Sequence, residues 1–314
     1  MLTYTPLTLK PGEILEIDPC IFWATECRDD LLDSLQRQGQ LQPVLVQRSG
    51  TGYTLVAGYS RYQGLKSLGR KIYALQAEDP GPWEKGMIYL SSNLGRTPDT
   101  LMLVRALRYF HPLGLDLQQV RLLLGIPRGS RQQHQLQAWI TLPPAWDGVL
   151  QHTPQLLTCA PDLAKISYPD LDTLLPFFRD LGWSLNNARK FLELLRRVQK
   201  PENLPLEEMV SRLGLDGILA GDLSPRDRIR AILDNLGRAA YPNYFRLRDQ
   251  ARQNIKNLVS GTAWNCIHPD NFESPGLEFR VRVHSRDELA EASRQLSSIA
   301  SSRHLRTWPV YPYE

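Results

Sequence analysis

Cysteine is scarce in this chain: Cys20, Cys27, Cys159 and Cys266 are scattered over 314 residues. No two of them form a Cys-x-x-Cys pair, which excludes a zinc ribbon or dithiol site and fits reduced, buried thiols. Long apolar runs are missing too, none approaching the roughly 20 residues that span a bilayer. The stretch from Met1 to Pro6 lacks a basic region leading into an apolar core, so no secretory leader, no membrane contact and a cytoplasmic location are expected. Neither sign of charge dominates: 37 Lys and Arg against 33 Asp and Glu give a net +4. That balance permits nucleic-acid binding without demanding it. No His/Asp cluster suited to metal-assisted cleavage is present, and His134 has no second ligand at metal spacing.

What is present is enough chain for two or three domains, with an ordinary 42% hydrophobic content. One stretch, Gly52 to Gly69, organises the first part. Tyr53 to Ala57 reads as a buried strand. Gly58 allows a tight turn, Ser60 is a good helix cap, and Arg61 to Leu68 reads as a helix ending at Gly69. A glycine turn into a helix N-terminus gathers backbone N–H groups and a positive dipole end, which suits phosphate. Arg61 adds a charged fork. Without an anion, the same residues make an ordinary strand–turn–helix corner. Upstream, Asp29 to Gly39 reads as an amphipathic helix ending at glycine, and Leu41 to Gln47 as a strand. Glu26 and Asp29 are acids at a helix start, where the dipole favours them as solvated groups; as partners for a metal or a hydroxyl they are the alternative.

The order and spacing of Ser34, Leu35, Gly39, Leu41, Gln42, Pro43, Val44, Val46, Val56, Gly58, Arg61, Leu65, Leu68 and Gly69 resemble the N-terminal domain of the ParB/Srx superfamily. ParB partition proteins, sulfiredoxins and free-serine kinases share that fold. The resemblance implies a small α/β nucleotide-binding domain with Gln42, Gly58, Tyr59, Ser60, Arg61 and Tyr62 around the nucleotide. Trp83 to Leu94 reads as a helix running into Ser92-Asn93-Leu94-Gly95-Arg96. ParB proteins carry Glu-Asn-x-x-Arg here, so Asn93 and Arg96 match, with Asn93 implied as a magnesium ligand. The glutamate position is Ser92, a neutral and poor hard-cation ligand. A Gln-Pro-Arg element usual near the nucleotide is replaced by Cys20 to Arg28. The resemblance therefore implies CTP and magnesium binding more than hydrolysis, and enzymatic activity, at most a weak CTPase, stays open. Sulfiredoxin chemistry is excluded because Tyr59 stands where its cysteine belongs.

Thr97 to His111 reads as a helix with Leu101, Val104, Leu107 and Phe110 inward. Leu117 to Leu124, a turn at Gly125, and Ser130 to Ile140 look like a helix-turn-helix, with a loop longer than usual. Such a motif puts the start of its second helix in the major groove. Arg128, Arg131, Gln132, Gln133 and Gln135 sit there, and Arg and Gln pair with guanine and adenine edges. The other reading is a wet helix face. Leu136, Trp139 and Ile140 are expected in the core. Helices follow at Leu171 to Leu181, Leu185 to Val198 and Leu206 to Leu213, and Arg189, Lys190, Arg196, Arg197 and Lys200 make this part basic.

From about Leu223 the pattern changes. Ser224 opens a helix to about Arg238, and Asn243 to Val259 forms a second, with Arg246, Arg248, Arg252 and Lys256 along it. Gly276 to His284 alternates as a half-buried strand, and Ser285 with Glu288 starts another helix as a capping box. The fold class expected is α+β: a ParB/Srx-like domain over 1–80, a helical helix-turn-helix domain over 81–220, and a small α+β module over 221–314. That module suits dimerisation or a protein partner. The function expected is a ParB-like, nucleoid-associated DNA-binding homodimer whose CTP-type pocket regulates its hold on double-stranded DNA. The alternatives are a free-serine-kinase-type phosphotransferase, with Glu26 or Asp29 as base, and a nucleotide-independent adaptor.

Overall fold

The computed structural model describes residues 3–114, 118–202, 205–267 and 276–302. Leu117, at the expected start of a helix, and the tail from Trp308 to Glu314 lie outside the described residues. The architecture is α+β, a mixed sheet followed by a mostly helical remainder. In chain order the first elements are β1 (Tyr4–Leu9), β2 (Ile14–Ile17), α1 (Asp29–Gln38), β3 (Val44–Ser49), β4 (Gly52–Ala57), α2 (Tyr59–Ser67) and β5 (Ile72–Ala77). Next come α3 (Pro82–Ser91), α4 (Thr100–Phe110), α5 (Gln118–Leu123), α6 (Arg131–Trp139), α7 (Asp147–His152), α8 (Ala160–Leu163), α9 (Tyr168–Asp180) and α10 (Leu185–Glu202). The described residues end with α11 (Leu206–Arg212), α12 (Leu215–Ala220), α13 (Pro225–Ala240), α14 (Pro242–Val259), β6 (Asn265–Ile267), β7 (Glu278–Arg280) and α15 (Arg286–Ala300).

It divides into two compact units. The first is Met1–Leu192 with Pro205–Glu208 and Gly221–Ile229; the second is Glu193–Leu204, Met209–Ala220 and Arg230–Glu314. The first unit holds a five-stranded sheet of order β1-β5-β3-β4-β2. β3 and β4 form the antiparallel hairpin, while β5 joins β3 and β2 joins β4 in parallel. Val44, Val46, Leu55, Val56, Ile72 and Ala74 are fully buried, as apolar side chains on central strands must be. β1 was not legible in Tyr4–Leu9: five of its six residues are not buried, so no apolar alternation marks it. It pairs with β5 along its whole length, so backbone pairing, not side-chain burial, makes it a strand.

A buried ion pair ties the end of β2 to α3. Asp18 is 7% exposed; its Oδ1 accepts from the Cys20 amide at 2.9 Å and its Oδ2 meets Lys85 Nζ at 2.8 Å. Aromatic rings continue the seam: Phe22 packs edge-on to Tyr89 at 4.9 Å and Trp83 to Phe110 at 5.0 Å. Gly86 is required here because a Cβ would lie 2.5 Å from the Phe110 ring. Asp99 caps α4 by accepting from the Met102 amide at 2.8 Å.

The helical part of this unit converges on Arg108. Its Nε and Nη2 grip Asp147 at 2.8 and 2.9 Å, and Nη1 and Nη2 donate to the Ile140 and Leu142 carbonyls at 3.1 and 3.0 Å. Trp139 Nε1 donates to the same Asp147 carboxylate at 3.0 Å. The planar fork of arginine suits this bidentate grip. Leu136, Trp139 and Ile140 are buried as expected.

In the second unit, α13 and α14 meet where Gly237 faces the Phe245 ring, with a Cβ there 2.7 Å from it. Arg238 pairs with Asp234 at 2.9 Å and Asp249 at 2.5 Å. Arg248 stacks on Phe245 at 4.0 Å. The expected strand over Gly276 to His284 is shorter: only Glu278–Arg280 pairs, with Asn265–Ile267. Ser285 caps α15 by accepting from Glu288 N at 3.1 Å.

Two outcomes follow. Arg108→Met should destabilise the protein by about 3 kcal/mol, because it strands a half-paired Asp147 carboxylate and the carbonyls at the α6 C-terminus; urea unfolding measures this. Burial pushes the Cys159 thiol up from an ordinary 9.0 to about 11. A raised folded value means stability intact below about pH 9 and lost as pH rises toward 11. Urea midpoints for Cys159→Ala should therefore fall less steeply than wild type across that window.

Candidate nucleotide pocket and nucleic-acid interface

The turn after β4 is built on Gly58, which has φ +90° and ψ 31° as the residue before α2. Left-handed backbone at this site favours glycine, and Val44 lies 3.0 Å from where a Cβ would be. The helix starts at Tyr59 rather than Arg61. Ser60 is therefore not the cap. Gly58 already turns the chain, so Ser60 falls in the first helical turn and its hydroxyl donates to the Thr25 carbonyl at 3.1 Å.

Ser60 and Arg96 line one cavity of about 430 Å³, together with Thr25, Glu26, Arg28, Asp30 and Leu31. Arg96 donates to the Trp23 carbonyl at 3.3 Å and to Thr25 Oγ1 at 3.2 Å. The segment from Trp23 to Thr25 is thus a strap held by both side chains. Trp23 reaches on to α4, its Nε1 donating to the Met102 carbonyl at 2.8 Å. Arg28 and Asp30 form an exposed ion pair at the cavity wall. The strap and its tethers were missed in the sequence because each bond joins residues more than 30 apart or depends on a backbone carbonyl.

The other expected pocket residues are placed differently. Arg61 is half-buried, and its Nη1 donates to the Pro43 carbonyl at 2.6 Å. Burial lowers its guanidinium from the ordinary value, and among the described residues no carboxylate pairs with it. A poorly compensated, half-buried cation favours an anion nearby. Tyr59 and Tyr62 line a second groove of about 660 Å³, with Leu15, Ile17, Gln63 and Lys66. They do not share the Ser60–Arg96 cavity because successive helical residues point in different directions. Gln42 is exposed, and its carbonyl accepts from Gln40. Asn93 donates to the Tyr89 carbonyl at 2.8 Å and to Ser92 Oγ at 3.2 Å, so its amide locks the end of α3. Of the acids, Glu26 lines the cavity and Asp29 does not. No group of three or more His, Cys, Asp or Glu side chains among the described residues is arranged to hold a metal.

Helix α6 is capped by Ser130, which accepts from the Gln133 amide at 3.2 Å. Gln133 Oε1 in turn accepts from Gly129 N at 2.8 Å, so this side chain holds the helix start. Arg128, Arg131 and Gln132 are exposed around that end. Gln135 departs from the expectation: at 8% exposure it is buried, because it falls beside Leu136 on the inward side of a short helix. Seven residues, 124–130, separate α5 from α6, with Gly125 at φ +68° and Gly129 at φ +69°.

Gly58→Ala should cost about 1–2 kcal/mol, the left-handed penalty for a residue bearing Cβ. Thermal unfolding beside Gly95→Ala, where nothing lies within 4 Å of a Cβ, isolates it.

The ParB N-terminal domain family matches residues 11–94. The chromosome-partitioning protein Spo0J of Thermus thermophilus is 32% identical over 111 residues, 34% of this chain and 40% of that protein. The chain thus spans less than half the length of that relative. Among solved structures, a Pnob8-like ParB-N domain aligns at 17% identity over 80% of this chain and 98% of its own, with a TM-score of 0.35. The C-terminally truncated partition protein ParB of Caulobacter crescentus, complexed with CTP-γ-S, aligns at 17% identity over 55% and 98%, with a TM-score of 0.26. The glycine turn, the hairpin before it and Asn93 fall within the range that matches the ParB N-terminal domain family, and Arg96 lies two residues beyond it.

Proposed function

We propose that this chain is a ParB-like DNA-partition protein in which a CTP-type nucleotide, held by the first domain, regulates how the helical part engages double-stranded DNA. The observation that carries the reading is that Ser60 and Arg96 line one cavity and hold the same strap. Both are donors of the kind that phosphate oxygens accept from. The family match over residues 11–94 supports the class of ligand. The functional division proposed is nucleotide binding over 1–80, DNA binding over 81–220, and a dimerisation or partner module over 221–314.

In this reading Ser60 and Arg96 exchange Thr25 and Trp23 for phosphate oxygens, with the N–H groups after Gly58 and the Arg61 charge close by. The strap is then released from the pocket, and Trp23, bonded to the Met102 carbonyl, passes the change to α4. From α4, Arg108 reaches the C-terminal end of α6. On α6, Arg131 and Gln132, with Arg128 ahead of it, meet DNA; Gln133 holds the cap and Gln135 the core. Magnesium fits only as a companion of the phosphates, with the Glu26 and Asp30 carboxylates lining the cavity, since hard cations of this size keep their water and phosphate ligands; Asn93, implied by the resemblance, does not line it. Bound nucleotide supplies triphosphate charge; with Ser92 in place of glutamate, regulation by occupancy is favoured over turnover.

Equilibrium binding of labelled CTP, ATP and GTP with magnesium tests this, with and without mixed duplex DNA. Arg96→Ala should weaken CTP binding by about tenfold or more, the loss of a charge-assisted hydrogen bond, and Arg61→Ala should weaken it as well. Trp23→Phe should bind CTP nearly as wild type does while losing the effect of CTP on DNA binding. Binding of ATP or ADP with no DNA effect would instead point to a phosphotransferase with Glu26 as base. Salt-sensitive DNA binding without any nucleotide would leave an adaptor.

A further inference from the structure

A sheet is open to other chains at its two edges, and the edges of this one differ. β1 carries Pro6, which withholds an amide from the outer side and blunts it. β2, at the other end of the strand order, has no proline and pairs with β4 alone among the described residues. The Asp18 amide donates to the Leu55 carbonyl at 2.9 Å. Successive strand residues turn their backbone groups to opposite edges, so those of Ile17 face away from β4. Leu15 and Ile17 stand on this edge at 61% and 40% exposure. Charge commonly protects such an edge, but the carboxylates nearby, though exposed, are engaged. Glu16 Oε2 accepts from the Thr54 hydroxyl at 3.3 Å, and Glu13 Oε2 from the Lys10 amide at 2.6 Å. Neither lines the groove of about 660 Å³ that runs beside Leu15 and Ile17. Helix α2 adds Tyr59, Tyr62, Gln63 and Lys66 to its lining. Gln63 Nε2 donates to the Tyr59 hydroxyl at 2.7 Å, while its Oε1 is buried with no hydrogen-bond partner. Lys66 is the one charged residue of the lining. Its ammonium lies 5.7 Å from the centre of the Tyr62 ring and pairs with no carboxylate among the described residues.

We infer that this groove docks an extended acidic peptide of a partner protein, which adds a strand to the open edge of β2 and lies along α2. Each unmet feature of the site asks for a different part of that one ligand. The outward backbone of Ile17 takes a main-chain amide and carbonyl. Leu15, Ile17, Tyr59 and Tyr62 cover an apolar side chain, Gln63 Oε1 accepts an N–H, and Lys66 meets a carboxylate. Addition of a peptide strand to a sheet edge is a recurring mode of recognition, with main-chain bonds giving affinity and side-chain pockets giving specificity. β2 has four residues, about 13 Å of strand, so the peptide pairs over about the same length. A nucleic-acid backbone would meet only Lys66 here, and one cation favours a peptide carboxylate over a chain of phosphates. The inference does not depend on nucleotide binding or on the role of α6, because the groove shares no lining residue with the cavity of Ser60 and Arg96.

The test follows the backbone amide resonances of the full chain by NMR as the peptide Thr-Val-Thr-Val-Glu is added. Titration runs to about 1 mM, where a ligand held by about 4 kcal/mol is half bound. The Leu15, Glu16, Ile17 and Lys66 amides should shift. The same peptide ending in Lys should bind about fivefold more weakly, the scale of an exposed ion pair, and Lys66→Glu should reverse the preference between the two. Ile17→Pro, which removes the outward amide, should abolish binding of both. Because that change also touches the sheet, Lys66→Glu, at an exposed position of α2, keeps the test independent of folding, with circular dichroism matching wild type. No shift at β2 with either peptide would overturn the inference, as would equal binding of both peptides before and after Lys66→Glu. Displacement of the peptide by CTP with magnesium would overturn it by making the groove a nucleotide site. Shifts of the β2 amides on raising the protein concentration alone would overturn it too, since the edge would then serve a second copy of this chain.

Discussion

The guanidinium of Arg108 is the interaction on which the helical part of the first unit depends. It is one-fifth exposed and grips Asp147 with two nitrogens while covering the last carbonyls of α6. A helix end buried without partners for its carbonyls is costly, and here the partner comes from α4, about thirty residues earlier. The same carboxylate takes the indole N–H of Trp139. Four segments, α4, α6, the turn after it and α7, are thereby fixed to one charge pair. The direction in which α6 presents Arg131 and Gln132 is set by this pair rather than by those residues themselves.

The sheet half is organised by a different constraint, the backbone at Gly58. The left-handed turn aims α2 off the end of β4 and presents Ser60 toward the strap from Trp23 to Thr25. Arg96 closes on that strap from the other side. The two donors that line the cavity, Ser60 and Arg96, are thus occupied by the protein's own carbonyl and hydroxyl groups. In the proposed reading this arrangement couples pocket occupancy to a segment that is itself bonded to α4. The Asp18–Lys85 pair and the aromatic seam around Phe22 anchor the chain just before the strap.

Much of this was legible in the residues. Gly39, Gly58 and Gly69 marked real turns, each with positive φ, because only glycine adopts that backbone without strain. Ser130 and Ser285 marked real helix starts, because a hydroxyl cap is a local bond between near neighbours. Strong apolar periodicity put Val104, Leu107, Phe110, Leu136 and Trp139 in the core, while Leu101, expected beside them, is only half-buried. Side-chain direction was harder. Gln133 and Gln135 look alike in sequence to Gln132, yet one caps the helix and one is buried. Arg248 looks like Arg246, yet it stacks on a ring. Each of these fates depends on what lies across from the side chain, which no spacing rule contains.

By itself the sequence determined the α+β class, the glycine turn, most helix positions and the likeness of the first domain, since these rest on local backbone preferences and short-range patterning. Tertiary structure decided the rest. It paired β1, a strand without an apolar pattern, with β5. It separated Tyr59 and Tyr62 from the cavity of Ser60 and Arg96, and it turned Arg248 of α14 onto Phe245 while leaving Arg246 exposed. Bonds between residues far apart in the chain settle those points, and such bonds exist only once the backbone has folded to bring the partners within about 3 Å, the reach of a hydrogen bond.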